Sequence, residues 1–138
     1  MLTLGNVLFP PADYRRTARS RLVWWESRRP TYNLIVGATG LVTLAVVNLI
    51  ALIPPGFPGP RPPWMVIVAY GVLANVCYTL GWGIETVMHF AWKEKAPDIG
   101  PALFRQGLAF SVGLTALPML IASMTWVARL GALVLHLR

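Results

Sequence analysis

Glu85 and His89 are the pair of side chains in this sequence whose types and spacing could do chemistry. Four residues apart on a helix, they lie on the same face. A carboxylate beside an imidazole could relay protons or orient a metal ligand. The structural interpretation, which we favour, is an ion pair between Glu85 and Lys93, Lys95 or an arginine of the N-terminal arm. Glu85 lies 21 residues after Trp64, which at about 1.5 Å per residue places it at a membrane boundary rather than at the midplane.

His89 alone could hold a cofactor. It stands in Met88-His89-Phe90-Ala91-Trp92-Lys93, near the end of an apolar segment with an aromatic residue just beyond. This stretch resembles the bacteriochlorophyll-binding end of light-harvesting polypeptides, and a single histidine can also be an axial haem ligand. Pigment or haem ligation by His89 is therefore one alternative, although those polypeptides have one span. His136 is interpreted as a surface residue.

Motifs of other chemistries are missing from the sequence. There is no glycine-rich phosphate loop, nucleophile elbow or zinc-ligand spacing. Cys77 is the single cysteine, so neither a disulfide nor a cysteine metal site can form within one chain. We therefore predict no catalytic residue, no metal site and no enzymatic activity.

Composition indicates an integral membrane protein. Hydrophobic residues make up 56% of the 138 residues and charged residues 12%, far from the balance of a soluble domain. The net charge of +7 comes from basic residues beside apolar segments. Attraction to anionic lipid headgroups explains that placement better than nucleic-acid binding, which we do not predict.

Three apolar segments, each with an uncharged run of 20 residues or more, predict an all-α fold with three transmembrane helices, at about residues 34–53, 64–91 and 106–128. A proline-rich connection, residues 54–63, separates the first two segments. An apolar extension, residues 130–138, either lengthens the third helix or lies along the membrane surface. Residues 34–138 thus form a transmembrane domain, and residues 1–33 form a basic, aromatic arm.

The second segment has a polar face that predicts helix packing. Seven side chains recur at spacings of three, four and seven: Asn75, Tyr78, Thr79, Trp82, Glu85, Thr86 and His89. Val66, Val68, Leu73 and Leu80 lie outside this face. Lipid tails are as apolar as leucine, so side-chain hydrogen bonds and small residues must hold membrane helices together. We expect Asn48 of the first span, and Ser111 and Thr115 of the third, to complete the packing.

The arm predicts an N-terminal amphipathic interfacial helix over about residues 13–29, ended by Pro30. Tyr14, Ala18, Leu22 and Trp25 would face the acyl chains. The residues expected to contact lipid headgroups or a partner are Arg15, Arg16, Arg19, Arg21, Trp24, Trp25, Arg28 and Arg29. The alternative is a basic arm without a fixed conformation.

The flanking charges predict an orientation. The arm and the second connection carry nine lysines and arginines, whereas the first loop and the tail carry three. The positive-inside rule then places the N-terminus in the cytoplasm and the C-terminus outside.

Short stretches in all three spans resemble small bacterial three-span integral membrane proteins without assigned function. They are Arg29-Pro30-Thr31-Tyr32-Asn33, Asn75-Val76-Cys77-Tyr78-Thr79-Leu80-Gly81 through Glu85, Leu103-Phe104 to Gly107, Phe110-Ser111 and Leu117-Pro118. The resemblance implies the three-span architecture and a bacterial inner membrane, and it makes Asn75, Tyr78 and Glu85 the residues to test first.

The functional hypothesis from sequence is a non-catalytic subunit that packs in, or helps assemble, a larger membrane complex. Its expected partners are anionic membrane lipids and other membrane subunits, or further copies of itself. Two alternatives stay open. One is the pigment- or haem-binding subunit with His89 as ligand, and the other is a small oligomeric transporter or channel with a path around Asn75, Thr79 and Thr115.

Overall fold

Three long helices make up most of the part of the chain that the structure, a computed structural model, describes: residues 17–56, 64–92 and 99–136. They are α1 (Ala18–Leu52), α2 (Trp64–Trp92) and α3 (Gly100–His136). Each helix is long and apolar enough to cross a bilayer. The predicted all-α fold with three helices of membrane-spanning length is therefore confirmed.

The separate interfacial helix predicted for residues 13–29 is not supported. Residues 18–29 are the first turns of α1, which continues through Pro30 to Leu52. Proline inside a helix removes one backbone hydrogen bond and costs about 3 kcal/mol. Trp25 and Tyr32, on either side of Pro30, are both buried against the other helices, and this packing keeps the helix continuous. Residues 13–16 lie outside the described residues.

The ends of α1 are set by a cap and a tight turn. At the start, the Thr17 hydroxyl accepts a hydrogen bond from the Ser20 backbone N–H. At the end, the Gly56 N–H donates to the Ile53 carbonyl at 2.7 Å. A Cβ atom on Gly56 would lie 2.5–2.7 Å from backbone oxygens of Ile50, Ala51 and Ile53. Only glycine lets the chain fold back this closely over the helix end.

α3 is one continuous helix of 37 residues. It begins at Gly100-Pro101, where proline is tolerated because the first-turn N–H groups have no intrahelical partner. It then runs through Pro118 and past Arg129, so residues 130–136 of the apolar extension belong to this helix. At about 1.5 Å per residue α3 is roughly 55 Å long, longer than a hydrocarbon core.

The helices form an up-down-up bundle whose core lies in one half. Tyr32 contacts Ser111, and further along both helices Thr43 contacts Thr115, so α1 and α3 run parallel. α2 runs antiparallel to α1. The apolar core consists of Trp25, Tyr32, Val36, Tyr78, Phe104 and Leu108. Among the described residues, none is buried beyond Thr43 in α1, before Ala74 in α2 or after Thr115 in α3.

Candidate functional site

A fully buried carboxylate lies where the three helices meet. Glu85 of α2 has no exposed surface, and the Trp25 indole of α1 donates a hydrogen bond from Nε1 to its Oε2 at 2.7 Å. Gly100, the first residue of α3, packs directly on the carboxylate. A Cβ atom there would lie 2.7 and 2.8 Å from the two carboxylate oxygens. We call Trp25, Tyr78, Glu85, Gly100 and Phe104 the three-helix junction.

The charge of Glu85 suits its position at the start of α3. A helix N-terminus carries a partial positive charge and backbone N–H groups without intrahelical partners. A carboxylate packed on Gly100 is therefore favoured electrostatically there, which offsets part of the cost of its burial. The Glu85 side chain therefore connects α2 to both α1 and α3.

Trp25 is held in place by a cage of aromatic rings. Its ring meets Tyr78 edge to face with centroids 5.2 Å apart, and Phe104 in the same manner at 6.2 Å. The Tyr78 hydroxyl donates to the Trp25 backbone carbonyl. A Cβ atom on Gly81 would lie 3.0 Å from the Trp25 ring, so glycine at position 81 makes room for it. The indole N–H is thus aimed at Glu85 by packing from both neighbouring helices.

Trp25 does not face the acyl chains, where the predicted interfacial helix would place it. Trp25 is 2% exposed and lies in the core, because a continuous α1 keeps it on the same face as Tyr32 and Val36. A signal for this placement is present in the sequence. The buried residues of α1 follow one another at intervals of four, seven, four and seven, in the order Arg21, Trp25, Tyr32, Val36 and Thr43.

A second polar layer lies about two turns deeper in the bundle. The Tyr32 hydroxyl donates to the Ala74 carbonyl at 3.2 Å and shares a hydrogen bond with the Ser111 hydroxyl at 2.8 Å. The Tyr70 hydroxyl and Thr115 Oγ1 are 2.6 Å apart, and the Thr43 hydroxyl donates to the Thr115 carbonyl at 3.0 Å. Ser111 and Thr115 thus lie at helix contacts. Their contacts with Tyr32, Tyr70 and Thr43 are not predicted from the sequence.

A third polar group lies at the edge of the α1–α2 contact. Asn75 Nδ2 donates to Asn33 Oδ1 at 3.0 Å. Arg29 Nη2 donates to Thr79 Oγ1 at 3.3 Å, and the same nitrogen forms an ion pair with Glu26 at 2.7 Å.

Trp82 and Thr86 of the predicted polar face are partly buried on α2. Within the described residues, Trp82 Nε1 and Thr86 Oγ1 have no hydrogen-bond partner. Side chains outside the face, Val66, Val68, Leu73 and Leu80, are all more than half exposed.

Asn48 does not meet the polar face of α2. It is exposed, and its Nδ2 donates to the Leu44 carbonyl of its own helix at 2.7 Å. The reason is the position of Asn48 along α1 relative to the polar side chains of α2. α2 pairs its polar side chains with residues 25–33 of α1, and Asn48 lies 15 residues beyond Asn33, roughly 22 Å along the helix.

The arginines of the arm differ in their exposure and in their contacts. Arg15 and Arg16 lie outside the described residues, and Arg19 is exposed. Arg21, for which a headgroup or partner contact is expected, is buried. Arg28 covers the Trp24 ring at 3.9 Å and donates to the Trp24 carbonyl, and Arg29 lies 5.1 Å from the Tyr78 ring centroid. Part of the basic arm therefore belongs to the helix bundle.

His89 lies inside the bundle, one helical turn beyond Glu85 on the same face of α2. It is 7% exposed, so little of its ring surface is open to a macrocycle. No group of three or more His, Cys, Asp or Glu side chains suited to a metal occurs in the described part of the chain. Cofactor ligation by His89 stays a prediction.

The residues of the suggested transport path lie in different environments. Thr115 is buried and bonded to Tyr70, whereas Asn75 and Thr79 line the side of α2 next to Arg29. The hydrogen bonds of the described polar layers join helices.

Comparison with protein-family models, curated proteins and solved structures gives no match to this chain, and the resemblance to small bacterial three-span proteins stays a prediction.

Proposed function

We propose that this chain is a non-catalytic integral membrane subunit that packs in, or helps assemble, a larger membrane complex. The observation that carries the proposal is the division of the bundle into two halves. In one half, buried polar side chains form hydrogen bonds between helices, at Glu85 and at Ser111 and Thr115. The open half, residues 44–52, 64–73 and 116–135, contains no buried residue in the described structure.

Exposed apolar side chains alone do not imply a protein partner, because acyl chains cover them equally well. Asn48 is the residue that favours a protein partner over lipid. It is an exposed amide in the open half, on the side of α1 opposite its buried face. An amide can take part in four hydrogen bonds, and the bond to the Leu44 carbonyl uses one donor. Polar groups in contact with hydrocarbon are costly, so a partner that bonds Asn48 is favoured over lipid.

The proposal places the chain in a bacterial inner membrane with its N-terminus in the cytoplasm. The asymmetric lysine and arginine counts and the three candidate spans support this orientation. In this arrangement the three-helix junction lies toward the cytoplasmic side. The open half extends toward the outer side, where a partner would cover Asn48.

The proposal can be tested by replacing Asn48. The protein is crosslinked in native membranes, extracted in mild detergent and sized, with Val42→Ala as a control at an exposed position on another side of α1. We expect a complex larger than the monomer that Asn48→Leu weakens at least several-fold and Val42→Ala leaves intact. A monomer in native membranes, or a complex that Asn48→Leu does not change, would contradict the proposal.

A further inference from the structure

A straight groove runs along α2 beside the side chain of Arg29. Its volume is about 840 Å³, and it is lined by Arg29 and by residues of α2 between Val68 and Gly83. Gly71 and Gly83 lie near its two ends, and a Cβ atom on either would meet no atom within 4 Å. The absence of side chains at these two positions keeps the groove open.

The polar residues of the groove lie between Val68, Gly71 and Val72 on one side and Leu80, Trp82 and Gly83 on the other. Arg29, Asn75 and Thr79 are its polar residues, and the side chains of Asn75 and Thr79 already form hydrogen bonds within the protein. Val68, Val72 and Val76 form the apolar part. A ligand that fits this surface has one charged end and one aliphatic chain.

Arg29 has hydrogen-bonding capacity for an anion. Its hydrogen bonds within the described residues both use Nη2, to Glu26 and Thr79. A guanidinium has five N–H donors in a planar fork that matches phosphate oxygens. Arg28 lies over Trp24 and does not line the groove, but with Arg29 and Glu26 it leaves this stretch of α1 with a net positive charge. The cationic headgroup of a zwitterionic lipid is less favoured there than an anionic one.

Arg29 lies at the level in the membrane where a lipid phosphate is expected. After Arg29 α1 carries no charge up to its end, and after Arg105 α3 carries none until Arg129. The Tyr32–Ser111 contact brings Arg29 and Arg105 to within about 5 Å of one level along the helices. From Thr79, the partner of Arg29, the groove runs 11 residues to Val68, roughly 16 Å, which is the hydrocarbon depth of one leaflet.

We infer that this groove binds one anionic phospholipid, with its phosphate on Arg29 and an acyl chain along Val76, Val72 and Val68. The inference does not rest on the proposed partner, because lipid binding is measured on the purified chain and Asn48 does not line the groove. A bound lipid would stabilise the α1–α2 contact, since its phosphate and chain touch both helices.

The inference is tested on purified, delipidated protein in detergent, titrated with phosphatidylglycerol or phosphatidylcholine and followed by native mass spectrometry. We expect one phosphatidylglycerol per chain, bound at least tenfold more tightly than phosphatidylcholine. Arg29→Gln removes the charge-assisted hydrogen bond and should weaken binding about tenfold or more. Arg105→Gln, which removes an exposed arginine at a similar level outside the groove, should leave the affinity unchanged.

A second pair of variants separates binding from folding, because Arg29 also contacts Thr79 and Tyr78. Gly71→Leu fills the apolar part of the groove from a position with open surroundings, and Gly113→Leu places the same side chain on an equally open site of α3. We expect only Gly71→Leu to lower the affinity, again about tenfold. Equal binding of both lipids, unchanged binding by Gly71→Leu, or equal losses in the controls would overturn the inference and indicate surface lipids only. Saturation by glycerol 3-phosphate, which has no acyl chain, would overturn it in favour of a free phosphate site.

Discussion

At the scale of single residues, the buried carboxylate of Glu85 connects the three helices. Glu85 would be costly to bury alone, and the structure gives it an indole N–H and the N-terminus of α3. The surrounding rings of Tyr78 and Phe104 fix the Trp25 indole in the one orientation that reaches the carboxylate. The interaction is therefore both a hydrogen bond and a constraint on how α1 packs.

Replacing Trp25 by phenylalanine tests this hydrogen bond. Trp25→Phe keeps an aromatic ring but removes the N–H donor, and leaves a buried carboxylate oxygen without it. We expect the free energy of unfolding in detergent to fall by about 2 kcal/mol or more, from the lost hydrogen bond and from the space that the smaller ring leaves in the core.

Trp126→Phe is the matched control. The Trp126 indole donates to the Ile53 carbonyl at 3.0 Å in an exposed position, where another donor can replace it. Its loss should cost under about 1 kcal/mol. If both substitutions have equal effects on chemical denaturation curves, the buried hydrogen bond to Glu85 has no special importance.

The continuity of α1 is the main feature at the element scale. A proline in the sequence favours a helix end, but the buried positions on both sides of Pro30 share one helical face. Tertiary packing of Trp25 and Tyr32 therefore overrides the local preference. The described part of the arm, residues 17–33, belongs to the continuous helix α1, in which Arg21 is buried.

A distance measurement distinguishes a continuous α1 from two helices joined at Pro30. Spin labels are placed at Arg19 and Leu41, both exposed, after Cys77 is replaced by alanine. The 22 intervening steps of about 1.5 Å predict a backbone separation of roughly 33 Å. An interfacial helix turning by a right angle at Pro30 would give about 23 Å by the same rise per residue, and that value would contradict the structure.

At the scale of the whole molecule, the bundle divides into a half with buried, hydrogen-bonded side chains and an open half. Among the described residues, the buried ones lie between residues 21 and 43 of α1, 74 and 89 of α2 and 100 and 115 of α3, and Trp25, Tyr32 and Thr43 form their hydrogen bonds to the other helices there. In the open half, Tyr70 bonds Thr115 at the border and Trp126 bonds the Ile53 carbonyl. Beyond the buried residues the helices present apolar side chains outward. This asymmetry is what the proposed association through Asn48 depends on.

The three spans could be predicted from sequence because an uncharged run of about 20 residues is a local signal. The polar strip of α2 was also visible, since Asn75, Tyr78 and Glu85 share one helical face. The contact between Glu85 and Gly100 could not be predicted. A glycine after a connection indicates a turn by itself, and only the packing of α3 on α2 places its backbone against the carboxylate.

The measurement that tests the account most directly is the coupling between Glu85 and Gly100. In an open helical position such as Gly107, alanine should raise the free energy of unfolding by up to about 1 kcal/mol, because alanine is the better helix former. Gly100→Ala should instead lower it by about 1 kcal/mol or more, since the added Cβ would displace the carboxylate.

That cost should nearly vanish in a Glu85→Ala background and persist in a Glu85→Gln background, where the side chain keeps its volume. A Gly100→Ala variant as stable as Gly107→Ala, or one whose cost is the same with and without the Glu85 side chain, would contradict a bundle organised around this carboxylate.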